Sequence, residues 1–317
     1  MKIVVINSNG PMGSSVVGAI VEKFGYLNAP VRNLGLNRCL LSQNETDIGR
    51  FKQNFINMFT SQSKKIKMGG VSMLDRDSGP SYCPIDKSLI EKEISDIEKS
   101  EFTSISDLYT SLRSAYTKAI KYKTSKHVPG KHIEYTTYFD QYPTKELCDA
   151  YVDEFKDVTF IHMHRNFVGW VESVMSQYFS GSHRWHIILL HALRRRYVDY
   201  ENSIKHCPGL HIDFDSLFKE DRNQVIAAIA EELCEPVPLL KWDNVSYDLY
   251  GQLRDFSSTF TLADVEGTHL SSGTRWFIRY CVEKEKITRF HDLIFYVFCL
   301  YDAAIFVIKK RLKAARL

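Results

Sequence analysis

The sequence predicts an α/β protein with three layers, in which a central parallel sheet is flanked by helices. Three observations lead to this prediction. The chain opens with a short apolar run, residues 2–6, which leads through small residues into a helical pattern. A second apolar run, residues 158–161, precedes an amphipathic helical pattern. The 317 residues, 44% hydrophobic and 25% charged, are enough for a substantial core. We therefore expect a single domain, residues 1–317, with a helical insertion at about 61–130.

The first element is a buried strand, and the residues after it favour an anion. Residues 7–15 are rich in Asn, Ser and Gly, and a helix is predicted from Val16. A strand, a turn of small residues and a helix start together present backbone N–H groups and a positive dipole end. The hydroxyls of Ser14 and Ser15 can add donors. An ordinary strand-to-helix turn is the alternative interpretation.

The second apolar run ends at Arg165, and Ser173 follows eight positions later. Arg165 is expected at the carboxyl end of a strand, where ligands bind in open α/β sheets, and Ser173 near the start of the next helix. A guanidinium and a hydroxyl at this spacing can hold one phosphate between them.

The section at about 61–130 is rich in Lys, Ser, Asp and Glu and contains several turn signals. Two helices are predicted within it, at residues 86–99 and 106–122, each with apolar residues on one face. We interpret them as a paired-helix lid over an acceptor site. A surface insertion without function is the alternative.

Two later helices carry many cations. One, at 182–203, includes Arg194, Arg195 and Arg196, which should mostly face solvent, although one of them could reach a bound ligand. The other, at 290–308, is followed by a basic end and is expected to pack across the sheet. A peripheral membrane contact through this basic helix is the alternative.

Composition excludes several classes of function. The net charge of +3 gives no support for a nucleic-acid partner. The seven Cys are odd in number and form no C-x-x-C pair, so we expect them reduced and mostly buried, with neither a disulfide framework nor a metal. No targeting peptide is evident before the first strand, and we expect a cytoplasmic protein. Peripheral attachment to the inner face of a membrane is the alternative location.

Gly13-Ser14-Ser15 and the pair Arg165 and Ser173 together resemble the PAPS-dependent sulfotransferases (PAPS, 3′-phosphoadenosine 5′-phosphosulfate). The family's first loop reads K/R-x-G-[ST]-[ST], and its second element is an Arg at a strand end followed eight residues later by Ser. The resemblance implies a P-loop NTPase-like sulfotransferase fold in which Arg165 and Ser173 hold the 3′-phosphate. The residues it implies around the 5′-phosphosulfate are Asn9, Gly10, Met12, Gly13, Ser14 and Ser15.

Three weaker matches follow the family's order. Residues 140–143 resemble a D-K-x-P element, and residues 211–217 resemble the family's strand and acidic turn. Residues 269–275 resemble the late loop that closes over the nucleotide, which implies cofactor contacts from Gly273, Thr274 and Arg275.

Two departures concern catalysis. Pro11 stands where the family's first loop has Lys or Arg, and Gln141 stands where D-K-x-P has Lys. Because sulfuryl transfer depends on positioning and on stabilising charge on oxygen atoms, other cations must substitute, with Arg275, His164 and Arg32 as candidates.

An acceptor hydroxyl also needs a general base, for which the family uses His or Glu. The sequence leaves His164, Glu45 and His132 as the shortlist, with Glu134, Asp47 and His162 as further possibilities. His164 ranks above His162 because it lies nearer the strand end.

The resemblance implies transfer of a sulfuryl group from PAPS to a hydroxyl of a carbohydrate, a lipid or a lipid-linked glycan, with PAP (3′-phosphoadenosine 5′-phosphate) as product and no metal. A binding protein for PAP or a glycan that has lost transfer is the main alternative. A P-loop kinase ranks lower, since G-x-x-x-x-G-K-[ST] would require Gly at Ser8 and Lys at Ser14.

Overall fold

The computed structural model describes residues 1–10, 12–32, 35–59, 86–119, 128–137, 143–179, 190–217, 222–238, 245–247, 253–255, 271–282 and 288–314. The chain divides into two compact units. The sheet unit comprises Met1–Ser8, Gly13–Met163 and Ser203–Phe260, and the helical unit comprises Asn9–Met12, His164–Asn202 and Thr261–Leu317. The expectation of a single domain with an insertion stays a prediction.

A five-stranded sheet lies in the sheet unit. Its strands are β1 (Lys2–Ser8), β2 (Leu27–Arg32), β3 (Lys131–Thr137), β4 (Val158–His164) and β5 (Leu210–Asp213), in the order β2-β3-β1-β4-β5. The pairs β1–β3, β1–β4 and β2–β3 are parallel. A separate antiparallel pair consists of β6 (Val245–Tyr247) and β7 (Leu253–Asp255). The prediction of an α/β fold with a central parallel sheet is confirmed.

Eleven α-helices are described. In chain order they are α1 (Ser14–Glu22), α2 (Leu36–Ser42), α3 (Glu45–Phe59), α4 (Lys87–Lys99), α5 (Ile105–Ala119), α6 (Lys145–Phe155), α7 (Phe167–Phe179), α8 (Leu190–Ile204), α9 (Arg222–Glu232), α10 (Ser272–Val282) and α11 (Arg289–Ala314). None of the helices in the described part of the chain has the length and apolar character needed to cross a bilayer.

Strand β1 explains the apolar run at the start of the chain. It pairs with β3 on one side and β4 on the other, and all its residues after Lys2 are buried. A strand buried on both faces is apolar without alternation. Asn7 pairs with Thr136 of β3 and with His162 of β4, so the carboxyl ends of these strands are neighbours. In such sheets the ligand site lies outside these ends, where strand order reverses.

The predicted helix pair is present as α4 and α5, and its role as a lid over an acceptor site stays a prediction. Ile90 and Ile94 of α4 and Leu108 and Leu112 of α5 are buried in one core cluster that also includes Ile3 of β1. Each helix therefore buries its apolar stripe in the core of the sheet unit, where burial of apolar surface stabilises the fold.

Candidate functional site

In the sheet unit, β1 ends and α1 begins in a way that requires glycine. Gly13 has a φ of 87°, and a Cβ atom there would lie 2.2 Å from Cδ2 of Phe214. No side chain caps α1, and its first turn contains no acidic residue. Ser14 is buried, and the buried Oγ of Ser8 has no hydrogen-bond partner among the described residues. This polar, acid-free helix start fits an anionic group.

Asn9, which belongs to the helical unit, lies earlier in the same loop, before Gly13. Its carbonyl oxygen accepts a hydrogen bond from Nε1 of Trp170 at 2.5 Å. Its side chain makes two bonds to Arg196: Oδ1 accepts from Nε at 2.9 Å, and Nδ2 donates to the carbonyl oxygen at 3.2 Å. Asn9 is thus anchored to α7 and α8, and the guanidinium of Arg196 lies beside it.

Arg165 follows the last residue of β4 and is 5% exposed. Its carbonyl oxygen accepts a hydrogen bond from the Tyr197 hydroxyl at 2.7 Å. A Cβ atom on Gly169 would lie 3.2 Å from Nε of Arg165, so the side chain lies over the first turn of α7. Oδ1 of Asn166 caps that turn by accepting from the Gly169 N–H at 2.8 Å. A guanidinium beside a helix start concentrates positive charge, which suits an anion.

Ser173 lies on the same face of α7 as Gly169, because residues four apart in a helix are neighbours on its surface. It is half-buried. The eight-residue spacing between Arg165 and Ser173 therefore has a physical explanation. After β4 ends, Asn166 caps the start of α7. Ser173 then lies one turn after Gly169, the residue over which the Arg165 side chain lies.

His164 forms a pair with a carboxylate that sequence reasoning missed. Its Nδ1 lies 2.8 Å from Oε2 of Glu201 on α8, and both side chains are partly buried. Because a carboxylate can only accept, Nδ1 carries the proton of this bond, and Nε2 is the ring atom that can take up another proton. Oε1 of Glu201 is buried without a hydrogen-bond partner among the described residues.

His162, two residues earlier, belongs to a chain of buried polar groups. Thr136 donates from Oγ1 to Oδ1 of Asn7, Nδ2 of Asn7 donates to Nδ1 of His162, and Nε2 of His162 donates to the carbonyl oxygen of Pro208. Both ring nitrogens are therefore engaged. The donor atoms of His162, Cys148 and Cys207 lie within 4.8 Å of one another, a buried group that could also hold a metal ion.

The other base candidates lie in different surroundings. His132 pairs with Ile3 near the amino end of β3, roughly 16 Å along the strand from Thr137 at the other end. Glu134 is buried and accepts hydrogen bonds from Arg113 and from the Tyr109 hydroxyl. Glu45 is exposed at the start of α3. The register of β3 weighs against His132 as a base at the loop after β1.

The predicted late loop is instead the start of helix α10. The side chain of Ser271 caps it by accepting from the N–H of Thr274 at 3.2 Å. Thr274 is buried and donates to Oδ2 of Asp302 at 2.6 Å, and a Cβ atom on Gly273 would lie 3.1 Å from Phe298. Gly273 and Thr274 thus pack on α11, whereas Arg275 is half-buried. Of the predicted loop 269–275, residues 272–275 are helical instead, because capping by Ser271 begins a helix there.

Several sequence predictions lie outside the described residues. These are Pro11, residues 61–85 and 120–127 of the predicted insertion, residues 140–142 with Gln141, residues 182–189 of the predicted cationic helix, and residues 269–270; the side chain of Arg32 is also outside them.

Three residues of α8 contact residues of the site: Arg196, Tyr197 and Glu201 contact Asn9, Arg165 and His164, respectively. Arg196 was one of several cations of this helix expected to be able to reach a ligand, whereas Tyr197 and Glu201 were not among the predicted site residues. Tyr197 and Glu201 are one helical turn apart and so lie on the same face of α8, and this spacing is the feature of the sequence that could have indicated them. Of the other cations described on this helix, Arg195 is exposed near Asp199, as expected, whereas Arg194 is half-buried and lies over the ring of Phe167.

No protein-family model matches the sequence, and no curated protein sequence matches it. Among solved structures, the fold is similar to the sulfotransferase domain from the curacin biosynthetic pathway, with 14% identity, a TM-score of 0.43 and coverage of 74% of each chain. It is also similar to the sulfotransferase domain of the Synechococcus PCC 7002 olefin synthase, with 13% identity, a TM-score of 0.43, and coverage of 97% of this chain and 94% of that one.

A third similar structure is the sulfotransferase STF1 from Mycobacterium tuberculosis H37Rv, with 11% identity, a TM-score of 0.35, and coverage of 88% of this chain and 75% of that one. At these identities and TM-scores the functional argument depends on the residues of the site itself.

Proposed function

We propose that this protein is a sulfotransferase that moves a sulfuryl group from PAPS to a hydroxyl of a carbohydrate or lipid acceptor. The observation that carries the proposal is the position of Arg165, buried at the end of β4 with its guanidinium over the first turn of α7, on the face that also carries Ser173. A cation, a helix start and a hydroxyl on one surface match the needs of a phosphate.

The β1–α1 connection supplies the second part of the argument. Three features of this connection fit a second anionic group. They are the close approach of Gly13 to Phe214, the buried hydroxyls of Ser8 and Ser14, and the acid-free start of α1. PAPS carries anionic groups at its 3′ and 5′ positions, and when bound it would supply the activated sulfuryl group. In the proposal, Arg165 and Ser173 hold the 3′-phosphate, and residues 9–15 hold the 5′ end.

The remaining catalytic tasks fall to residues of the helical unit. His164 is proposed as the general base, because Glu201 fixes its Nδ1 proton and so makes Nε2 the atom that removes the acceptor's proton. Arg196 is proposed as the cation that serves the loop in place of the missing one at Pro11, since its Nε binds Asn9. A cation there would stabilise the charge that develops on the leaving oxygen atoms.

Calorimetric titration with PAP, with and without magnesium, tests the proposal. We expect binding that does not depend on the metal and that weakens about 10- to 100-fold in Arg165→Ala, because a hydrogen bond to a charged group contributes about 1.5–3 kcal/mol. Ser173→Ala should weaken binding less. Arg195→Ala is the matched control, since its side chain is 83% exposed on the same unit.

Titration with 5′-AMP, which lacks the 3′-phosphate, separates the two phosphate positions. Wild-type protein should bind 5′-AMP more weakly than PAP, and Arg165→Ala should leave the affinity for 5′-AMP nearly unchanged. Failure of PAP to bind, or equal binding by Arg165→Ala and Arg195→Ala, would contradict the proposed cofactor site.

A second function is favoured by two residues of the sequence, Pro11 and Gln141, which replace cations. In this alternative the protein binds PAP or a glycan without transferring a sulfuryl group. A screen with radiolabelled PAPS and a panel of glycans and lipids distinguishes the two functions. PAP binding together with an absence of transfer to every acceptor would favour the second function.

A further inference from the structure

Helix α11 has a long exposed apolar face. Its exposed large apolar residues are Phe290, Leu293, Val297, Leu300, Tyr301, Ile308 and Leu312. Their spacing of mostly three, four and seven places them on one side of the helix, over a length of about 33 Å. A shallow groove of about 470 Å³ along this side is lined by Leu293, Ile294, Val297, Phe298 and Tyr301. Contiguous exposed apolar surface of this kind marks an interaction site.

Helix α10 adds aromatic residues of the type found at membrane interfaces. Trp276 is 63% exposed and its ring stacks on that of Tyr280, with centroids 5.7 Å apart. The two helices pack together through Phe277 and Phe298, whose rings are 5.5 Å apart. Trp and Tyr combine an apolar ring with a polar atom and therefore favour the boundary between lipid and water.

The charges of these two helices are distributed unevenly. The only acidic residues in the sequence of α10 and α11 are Asp292 and Asp302, and both are buried. Asp292 accepts hydrogen bonds from the backbone N–H of His191 at 2.8 Å and from its Nδ1 at 2.6 Å. Asp302 binds the Thr274 hydroxyl at 2.6 Å and the backbone N–H of Ser271 at 3.1 Å. The carboxylates are thus turned inward.

The exposed charged residues described on these helices are all cations: Arg279, Arg289 and Arg311. The sequence adds Lys309, Lys310 and Lys313 at the end of α11. Among the described residues of α10 and α11, the apolar face is bordered by cations and free of exposed carboxylates. Such a face is complementary to a surface that is apolar inside and anionic at its border.

We propose that the outer faces of α10 and α11 form a docking surface for an anionic lipid bilayer, with both helices lying in the plane of the interface. A second copy of the chain fits less well. Antiparallel pairing of two α11 helices would place Arg289 near Arg311 of the other copy, and parallel pairing would place each cation near its own counterpart. Both arrangements bring like charges together, whereas anionic headgroups neutralise them.

Sedimentation with vesicles tests the proposal directly. The full-length protein is incubated at low ionic strength with phosphatidylcholine vesicles or with vesicles that contain phosphatidylserine at about one lipid in three. We expect binding to the anionic vesicles that weakens as salt is added, since screening reduces the attraction of surface charges. Trp fluorescence should shift to shorter wavelength on binding, and this shift should be lost in Trp276→Phe.

Two sets of variants separate the apolar and the charged parts of the surface. Leu293→Gln with Val297→Gln should weaken binding at least tenfold, whereas Val237→Gln in the sheet unit, with the same 58% exposure as Val297, should not change it. Replacement of Arg279, Arg289 or Arg311 by Gln should weaken binding to the anionic vesicles about fivefold for each charge removed. Arg195→Gln is the control for charge, and circular dichroism checks that all variants fold.

Three outcomes would overturn the proposal. They are no binding to anionic vesicles, equal binding to both kinds of vesicle, and a dimer in light scattering that Val297→Glu dissociates while vesicle binding is absent. Since PAP titration is independent of vesicle binding, failure of this proposal is distinguishable from failure of the proposed sulfotransferase activity.

Discussion

The Nε atom of Arg196 lies 2.9 Å from Oδ1 of Asn9, so α8 brings a cation to the loop in which Pro11 leaves one missing. We expect Arg196→Ala to lower kcat/KM for sulfuryl transfer about 10- to 100-fold, because a charge-assisted interaction of about 1.5–3 kcal/mol is removed. Release of PAP in the presence of an acceptor measures this. Arg195→Ala, the neighbouring exposed cation, should retain activity; an equal loss in both variants would refute the role of Arg196.

The pair of His164 and Glu201 makes a separate prediction about catalysis. His164→Ala should lower kcat about 10²- to 10⁴-fold, the usual contribution of a general base, and Glu201→Gln should lower it less by disturbing the orientation of the ring. PAP affinity in Glu201→Gln should stay unchanged in calorimetry. His206→Ala, at an exposed position, is the control. Full activity in His164→Ala would exclude it as the base.

Gly13 should be indispensable for stability. Gly13→Ala places a side chain at a φ of 87°, which costs about 1–3 kcal/mol, and forces the Phe214 ring to move. Gly49→Ala is a control within helix α3, where an added Cβ meets nothing within 4 Å, and it should stabilise by about 0.5–1 kcal/mol. Urea unfolding measures both. Equal stability of the two variants would contradict the strain argument.

The buried ion pair of Arg113 and Glu134 predicts a large effect on stability. Their side chains are 4% and 1% exposed, and Glu134 also accepts from Tyr109 at 2.9 Å. Arg113→Met leaves a buried carboxylate without its cation, which should destabilise the fold by about 3–5 kcal/mol.

The exposed pair of Lys118 and Glu93, with side chains 54% and 20% exposed, is the matched comparison. Lys118→Met should change the free energy of unfolding by less than about 1 kcal/mol, since exposed pairs contribute little. Similar losses in Arg113→Met and Lys118→Met would show that burial does not decide the strength of these pairs.

Cysteine reactivity should follow burial. Burial, with the nearby carboxyl of Asp292, raises the pKa of Cys281 from 9.0 to about 11, and burial raises the pKa of Cys299 to about 12. Cys234 is exposed. At pH 8 only about one Cys281 thiol in a thousand is ionised, so iodoacetamide should label Cys234 before Cys281 and Cys299, as peptide mass spectrometry can show.

The raised pKa of Cys281 also gives the sign of a pH effect on stability. The folded state holds the proton of the Cys281 thiol more tightly than the unfolded state. The stability linked to this proton is therefore complete below about pH 9, the pKa in the unfolded state, and is lost as the pH rises toward about 11, the pKa in the folded state. Unfolding midpoints measured from pH 8 to 11 should fall in wild-type protein and fall less in Cys281→Ala. Preferential labelling of Cys281 over Cys234 at pH 8 would contradict the raised pKa of Cys281.

Elements with a strong local pattern could be predicted from the sequence. The helical spacing of Ile90, Ile94 and Ile97 indicated α4, and the apolar run after Lys2 indicated β1, because both patterns reflect which side chains the local backbone brings to one face. The same patterns could not show that α4 packs in the main core, since that depends on contacts between distant parts of the chain.

The candidate site shows the same limit. The sequence leaves both His164 and His132 as candidates for the base, and the parallel register of β3 and β1 separates them by placing His132 near the amino end of its strand. Glu201 lies 37 residues from His164, so no local pattern connects the two. At Ser271–Thr274 the loop resemblance was misleading, because capping by Ser271 and the bond to Asp302 begin a helix there.

The sequence by itself determined the α/β class, the strand that leads to Gly13, and the spacing of Arg165 and Ser173, because apolar periodicity and helix geometry act over a few residues. Only the tertiary structure decided that Arg196 meets Asn9, that Glu201 orients His164, and that both carboxylates of α11 turn inward and leave its outer face apolar and cationic. These relationships join residues 28 to 187 positions apart, and they arise only when burial of apolar surface brings those segments together.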